Sequence, residues 1–267
     1  MKHLFLLLVM CILFHACTNK KKKWSYLQTI NLGDITPIGF AFQNEEIWIS
    51  DGDHNQIIAV NSSGEVLQKI IDAQRPMHID IEQGDLYIPE YGSDQIIKVT
   101  KGVKSIVKLP DSLDAPAGVD RYKTEIALAD FYHHRVLYFN GNEWITIGKK
   151  GNELGELNYP TDIQILKDKI VVADAYNNRI QIFDKQGIPQ QLIGLSEGIN
   201  AATGVFATED EIFVTDFENN RVLAYHMNGE LKQIITEKIN KPTDVLLKDD
   251  VLYISNYKGK NIVKMGR

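Results

Sequence analysis

Six hydrophobic runs along this chain each end on an acidic or amide residue, and five residues later a polar residue opens the next run. The closing residues are Asp51, Glu90, Asp130, Asp174, Asp216 and Asn256, and their partners are Gln56, Gln95, Arg135, Arg179, Arg221 and Asn261. Taking each closing position minus the one before, the units are 39, 40, 44, 42 and 40 residues apart. A period near 40 with room for four short strands is that of a propeller blade. The pattern predicts an all-β fold: a six-bladed β-propeller of four-stranded antiparallel blades.

The fourth unit shows the order most clearly. Pro160 to Ile165 reads as the inner strand, and Lys169 to Ala173 is apolar throughout, as a strand buried on both faces should be. Arg179 to Phe183 alternates with period two, which predicts a half-buried strand. Pro189 to Leu195 returns as the outermost strand. The other inner strands are expected to begin at Pro37, Pro76, Pro116, Thr203 and Pro242, since proline suits a strand's first residue. Residues i and i+5 around a four-residue turn face each other across the hairpin, so each acid–partner pair is expected to hydrogen-bond and to serve the fold. The last unit ends after three strands, and Trp24 to Leu32 has no blade of its own. It is expected to become the fourth strand of blade six, closing the ring and removing sheet edges.

Residues 1–16 fall outside the repeat. Lys2 and His3 precede an apolar run from Leu4 to Phe14, followed by His15, Ala16 and Cys17. This reads as a secretory signal peptide. The sequence Leu13-Phe14-His15-Ala16-Cys17 resembles the lipobox of bacterial lipoproteins, which implies lipidation of Cys17 and residues 17–23 as a basic tether. Cys11 and Cys17 are the two cysteines, so the body at 24–267 has neither disulfide nor thiol chemistry. The expected location is the cell envelope, lipid-anchored to a bacterial membrane and facing outside the cytoplasm. Without Lys2 the chain carries 28 basic and 35 acidic residues, which argues against nucleic acid as a partner.

From Pro160 to Phe183 the chain resembles the NHL-repeat propellers: a proline-led inner strand, a hydrophobic strand ending in Asp, an Asn-containing turn and an Arg-led strand. The resemblance extends from about residue 35 to about 265, with the six-bladed lipoproteins of Bacteroidetes-type bacteria as a further likeness. Blade six departs, having Asn256 and Asn261 for the acid and the base.

Two residue sets mark a candidate site. Two places past each inner-strand start stand Gly39, His78, Gly118, Asp162, Gly204 and Asp244, glycine alternating with an ionisable residue. His78, Asp162 and Asp244 are therefore expected at one level near the channel mouth. They can cap loop N–H groups and bond to water, contact a polar ligand, or hold a divalent cation with a position left open for water. The second set, Tyr91, Phe131, Tyr132, Tyr176, Phe217 and Tyr257, follows the acids by one or two places and predicts an aromatic rim for a ligand or partner. No phosphate loop, Gly-x-Ser-x-Gly elbow or His-Glu-x-x-His occurs.

The reading favoured by the sequence is a non-catalytic binding module that takes a protein, peptide or glycan on its top face, rather than an enzyme. The NHL resemblance implies the same. The alternative is a metal-dependent lyase or lactonase-like hydrolase. Six-bladed lyases of that kind use three metal-binding histidines, an Arg and a Tyr, and this chain has His78 alone in its channel set.

Overall fold

The structure, a computed structural model, describes residues 23–267; Cys17 and the leader lie outside the described residues. It contains six four-stranded antiparallel sheets, arranged as blades of a propeller. Blade 4 is Pro160–Ile165, Lys169–Asp174, Arg179–Asp184 and Pro189–Ile193, inside to outside. Blade 6 is Pro242–Lys248, Val251–Asn256 and Asn261–Gly266, with Ser25–Asn31 as its outermost strand. Ser25 pairs with Gly266 and Asn31 with Asn261, so the two ends of the described chain close the ring as expected. Trp24 locks that strand to blade 5. Its N–H donates to Gln233 Oε1 at 2.8 Å, Gln233 Nε2 donates back to its carbonyl at 2.8 Å, and its ring meets Phe213 edge-on at 5.7 Å.

Each core cluster lies between two neighbouring blades. Between blades 4 and 5, Val171, Ala173, Ile180 and Ile182 pack on Val205, Ile212, Val214 and Leu223. Between blades 6 and 1, Ile30 and Ile262 pack on Phe40, Ile49 and Ile58. Each such aliphatic side chain contributes about 1.5–3 kcal/mol by leaving water. This arrangement corrects one expectation. Arg179 to Phe183 is buried along its whole length rather than half-buried, because a third strand is also sandwiched between blades. The polar member Gln181 is satisfied there, its Nε2 donating to Asp174 Oδ2 at 2.9 Å.

The repeated acids hold more than their hairpins. Asp130, Asp174, Asp216 and Asn256 each accept the backbone N–H sixteen residues upstream, at 2.7–2.9 Å, from the loop that leads into the inner strand. The second oxygens of the three aspartates face the predicted partners, with Arg135, Arg179 and Arg221 donating at 2.7, 2.8 and 2.6 Å, whereas Asn256 Nδ2 donates to Asn261 Oδ1 at 2.9 Å. Each guanidinium then reaches carbonyls of the preceding linker, as Arg179 does to Asn152, Glu153 and Glu156. Glu90 departs from the expected pairing. Its extra methylene carries the carboxylate to Ser93 Oγ at 2.7 Å instead of Gln95.

Inner strands begin at Pro116, Pro160 and Pro242 as the prolines indicate, at Ala202 in blade 5, and only at Phe40 and Asp80 in blades 1 and 2. In blades 3 to 6 the register slips just past the start, between Pro116 and Gly118, between Pro160 and Asp162, between Ala202 and Val205, and between Pro242 and Asp244. Such a bulge inserts a residue and re-aims the next side chain, here the one two places past the strand start. In blade 2 the segment leaves its own sheet at this point. His78 N–H donates to Ala117 O and His78 O accepts Val119 N–H, pairing with the inner strand of blade 3.

Candidate metal centre in the channel

The bulges in blades 4 and 6 and the detour of blade 2 bring His78, Asp162 and Asp244 together from alternate blades, as their spacing indicated, with the candidate ligand atoms of all three within 4.8 Å of one another. His78 Nδ1 lies 3.7 Å from Asp162 Oδ2 and 3.8 Å from Asp244 Oδ2. All three residues are buried, with relative exposures of 4%, 6% and 4% in chain order, so their interaction is little screened by solvent.

The intervening glycines explain the alternation. A Cβ on Gly39 would sit 2.6 Å from His78 Cα, one on Gly118 2.7 Å from Thr161 O, and one on Gly204 2.5 Å from Thr243 O. Each glycine thus lets the next blade's inner strand approach until its ionisable side chain enters the channel. The two aspartates then bind across the same gap. Asp162 accepts the N–H of Ile163 at 2.9 Å and of Val205 at 2.8 Å, and Asp244 accepts those of Val245 at 2.7 Å and Phe40 at 2.9 Å. Asp244 therefore ties the last blade to the first. This is the capping role the sequence suggested, made to strand N–H groups rather than loop ones. It leaves both Oδ2 atoms with lone pairs facing His78.

His78 Nδ1 is buried with no hydrogen-bond partner. An orphaned ring nitrogen opposite two anchored carboxylates suits a cation. Donors bound at about 2.1 Å to a tetrahedral metal stand roughly 3.4 Å apart, close to the separations seen here. The cluster is thus able to hold a divalent cation, with two carboxylate oxygens and one imidazole as protein donors. Without one, burial opposes charge on His78, but Asp162 and Asp244 outweigh it and raise its pKa to about 9. Burial dominates at Asp162 and lifts it to about 7, against the opposing pull of His78.

A second tier, unforeseen from the sequence, lies two residues further down the inner strands. Asp80, Asp120 and Gln164 line the same cavity as the triad, a space of about 190 Å³. Burial raises Asp80 to about 7 and moves Asp120 well upward, each reinforced by neighbouring carboxylates. Asp120 is held by Ile165 N–H at 2.6 Å and Gln164 Nε2 at 3.3 Å, whereas Asp80 Oδ2 has no partner. The signal was present in the period of two: Asp80 stands two places beyond His78, and Gln164 two beyond Asp162.

The cavity is lined by residues from the second place of the inner segments onward and by none of their starts. The turns bearing the aromatic set sit beside those starts, as the pairing of Pro116 with Asp130 shows. The triad therefore roofs a space that extends away from the aromatic face, not toward a mouth on it. Nor is the aromatic set a continuous rim. Phe131, Tyr132 and Tyr176 pack ring to ring with Tyr159, which the sequence reading missed, and Tyr91 joins them through Phe131, at centroid distances of 4.8–6.1 Å. Phe217 and Tyr257 form a separate pair at 6.2 Å. Tyr132 and Tyr176 remain exposed.

Comparison with known proteins follows this geometry. Residues 157–183 match the NHL repeat family model, the region where the sequence resemblance was closest. No curated protein matches the chain. Among solved structures, a streptogramin B lyase superposes with a TM-score of 0.67 at 16% identity, covering 90% of this chain and 97% of its own. A virginiamycin B lyase from Staphylococcus aureus gives 0.67 at 16% identity, covering 92% of this chain and all of its own. XC5397 from Xanthomonas campestris, a gluconolactonase, gives 0.74 at 13% identity, with 89% and 88% covered. The chain is a six-bladed β-propeller with an NHL-repeat region, and at these identities the solved structures share its fold. The expectation of a non-catalytic binding module, and with it that of a non-enzyme, is corrected here. The buried His78, Asp162 and Asp244 form a cluster able to hold a metal ion, an arrangement a purely binding surface does not require.

Proposed function

We propose that this protein is a metal-dependent lyase or lactonase-like hydrolase whose reaction centre lies beneath the roof formed by His78, Asp162 and Asp244. The observation that carries the reading is the buried, unpartnered Nδ1 of His78, set 3.7 and 3.8 Å from two carboxylate oxygens. A divalent cation bound there would act as a Lewis acid toward a substrate carbonyl. The chain's own groups do the rest. Asp162 and Asp244 are fixed by strand N–H groups, so they need little reorganisation as charge develops. Asp80 Oδ2, bordering the cavity with no partner, is placed to take or return a proton. Phe40, Val205 and Phe206 along the walls exclude water. The lipobox-like Leu13 to Cys17 supports an anchored protein on the extracytoplasmic side of a bacterial membrane.

The test has two parts. Protein purified without chelator is analysed for metal, then assayed on a panel of lactones and cyclic esters. The expected result is close to one divalent ion per chain, lost in His78→Ala, and turnover lost in Asp80→Asn with metal content unchanged. Absence of bound metal under saturating Zn²⁺, Mn²⁺ and Ca²⁺, or turnover indifferent to His78, would overturn the reading.

A further inference from the structure

The outermost strands of the six blades are not covered alike. In blades 3, 4 and 5 they are mostly half-buried, as in Trp144–Ile147, Pro189–Ile193 and Leu231–Ile235. In blade 1, Val66–Ile71 is exposed at all but one residue, and in blade 2, Val103–Ile106 is exposed throughout. The turn before the next blade's outermost strand accounts for part of this. A Cβ on Gly187 in blade 4 would meet Ile147 Cγ1 of blade 3 at 3.0 Å, and one on Gly229 in blade 5 would meet Gln191 Nε2 of blade 4 at 2.6 Å, so these turns press on the strand beside them. The matching glycine of blade 2, Gly102, has nothing within 4 Å of such a Cβ, and Gly141 in blade 3 meets only Thr124 of its own blade. The strands of blades 1 and 2 are thus left uncovered by the blade that follows, although Val66, Leu67, Ile71, Val103 and Ile106 are 48–69% exposed. Five large apolar side chains on two adjoining edge strands form a patch of the kind that marks an interaction surface.

The charges at the ends of these strands are ordered. Acids bracket the strand of blade 1, Glu65 before Val66 and Asp72 after Ile71. Lysines bracket that of blade 2, Lys101 before Val103 and Lys108 after Ile106. All four are exposed, and among the described residues none forms an ion pair within the chain. Between the ends, Lys69 and Lys104 border the cleft between the two blades, as Lys101 does, and Lys104 Nζ donates to Ile71 O at 3.3 Å. Neighbouring blades share one strand order, so the two outer strands run in the same sense along the channel. Glu65 and Lys101 therefore lie toward one end of the ring, and Asp72 and Lys108 toward the other.

We infer that this edge joins two copies of the chain about a two-fold axis that lies between blades 1 and 2 and runs parallel to the channel. The order of the charges selects both the partner and the axis. A two-fold interface sets one surface against itself, so that surface must be its own complement. An axis along the channel keeps the ends of the ring together and exchanges the two blades. Glu65 then faces Lys101 of the second copy, Asp72 faces Lys108 of the second copy, and each pair occurs twice. Val66, Leu67 and Ile71 pack on Val103 and Ile106 of the second copy. An axis across the channel would instead set Glu65 against Asp72 and Lys101 against Lys108, and like charges repel. A partner surface of one sign would meet two like charges whichever sign it carried. Closing the edge in this way also covers two apolar edge strands, which are a pairing hazard when left open. The inference is independent of the catalytic reading, since none of these residues borders the channel cavity.

The experiment uses the ring of residues 23–267, which holds all four strands of every blade and so closes on itself. Its mass is followed against concentration by analytical ultracentrifugation at low and high salt. A dimer is expected that dissociates on dilution, and more readily in high salt. Glu65→Lys with Asp72→Lys, and separately Lys101→Glu with Lys108→Glu, turn every facing pair into a like pair. Each double variant should weaken self-association on the order of a hundredfold. All four substitutions in one chain make the facing pairs opposite again and should return the dimer. An equimolar mixture of the two double variants should form a mixed dimer. Val103→Asp with Ile106→Asp should also give a monomer, with the melting temperature of the ring retained. A monomer at every concentration, a dimer indifferent to the double variants, or a four-substitution chain that melts like wild type yet stays monomeric would overturn the inference.

Discussion

Gly39→Ala is the sharpest probe of how the channel centre is built. A Cβ at residue 39 would lie 2.6 Å from His78 Cα, 3.0 Å from Met77 O and 3.2 Å from Ile79 N, all backbone atoms of the next inner strand. No rotamer change relieves these contacts. Ordinary separation begins at 3.4 Å, so the two strands must part by about 0.8 Å. Overpacking of this kind costs about 1–3 kcal/mol. For a chain of this size that lowers the melting temperature by roughly 2–12 °C. The same shift moves His78 away from Asp162 and Asp244, where Nδ1 now stands 3.7 and 3.8 Å from the facing oxygens. Metal sites tolerate displacements of about 0.2 Å in their ligand distances, so affinity for a divalent cation should fall at least about tenfold. Thermal denaturation with and without Zn²⁺ or Mn²⁺, together with calorimetric titration, reads both effects. A variant that melts within about a degree of wild type and binds the cation equally well would refute the argument that glycine is required for the blades' approach.

Two further outcomes are expected from the fold. Arg179→Ala leaves the fully buried Asp174 without its cation and frees three linker carbonyls, and should destabilise the protein by about 3–5 kcal/mol in chemical denaturation. Gln56→Ala in blade 1 removes one neutral donor and should cost only about 1 kcal/mol, the difference being the measure of the charged pair. The second concerns pH. Burial first, and then Lys150, lower the pKa of His134 from its ordinary 6.5. Its Nδ1 accepts the N–H of Tyr159 at 3.1 Å, which requires the neutral ring. The unfolded chain therefore takes up this proton first. The contribution is fully present above about pH 6.5 and is lost as pH falls through the depressed folded value. His134→Asn, which keeps an acceptor that does not titrate there, should gain stability relative to wild type between pH 7 and 5, measured by urea denaturation at each pH. A constant difference across that range would contradict the assignment.

Much of the architecture was legible because it repeats. Five acids and Asn256 at a period near 40 announce six blades, and an orphan strand at Trp24 to Leu32 announces the closure at Gly266. The channel triad was legible too, since residues at equivalent positions of successive blades must lie at one level. Other features depended on distances between units that no spacing encodes. That Arg179 to Phe183 is wholly buried follows from the blade stacked on its outer face. That Tyr159 joins the aromatic cluster follows from a linker folding back over Phe131. Asp80 and Asp120 stood in period with the triad, yet only the width of the channel makes them one tier.

The sequence by itself determined the number of blades, the order of strands and the identity of the residues sharing a level, because these are consequences of local pattern repeated along one dimension. The tertiary structure alone decided which way the cavity opens, how near three buried ionisable groups approach, and that one ring nitrogen is left without a partner. Those depend on the path of each inner segment past its start and on the absence of a single Cβ at Gly39, Gly118 and Gly204. Differences of an ångström across the ring are set by the packing of all six blades at once.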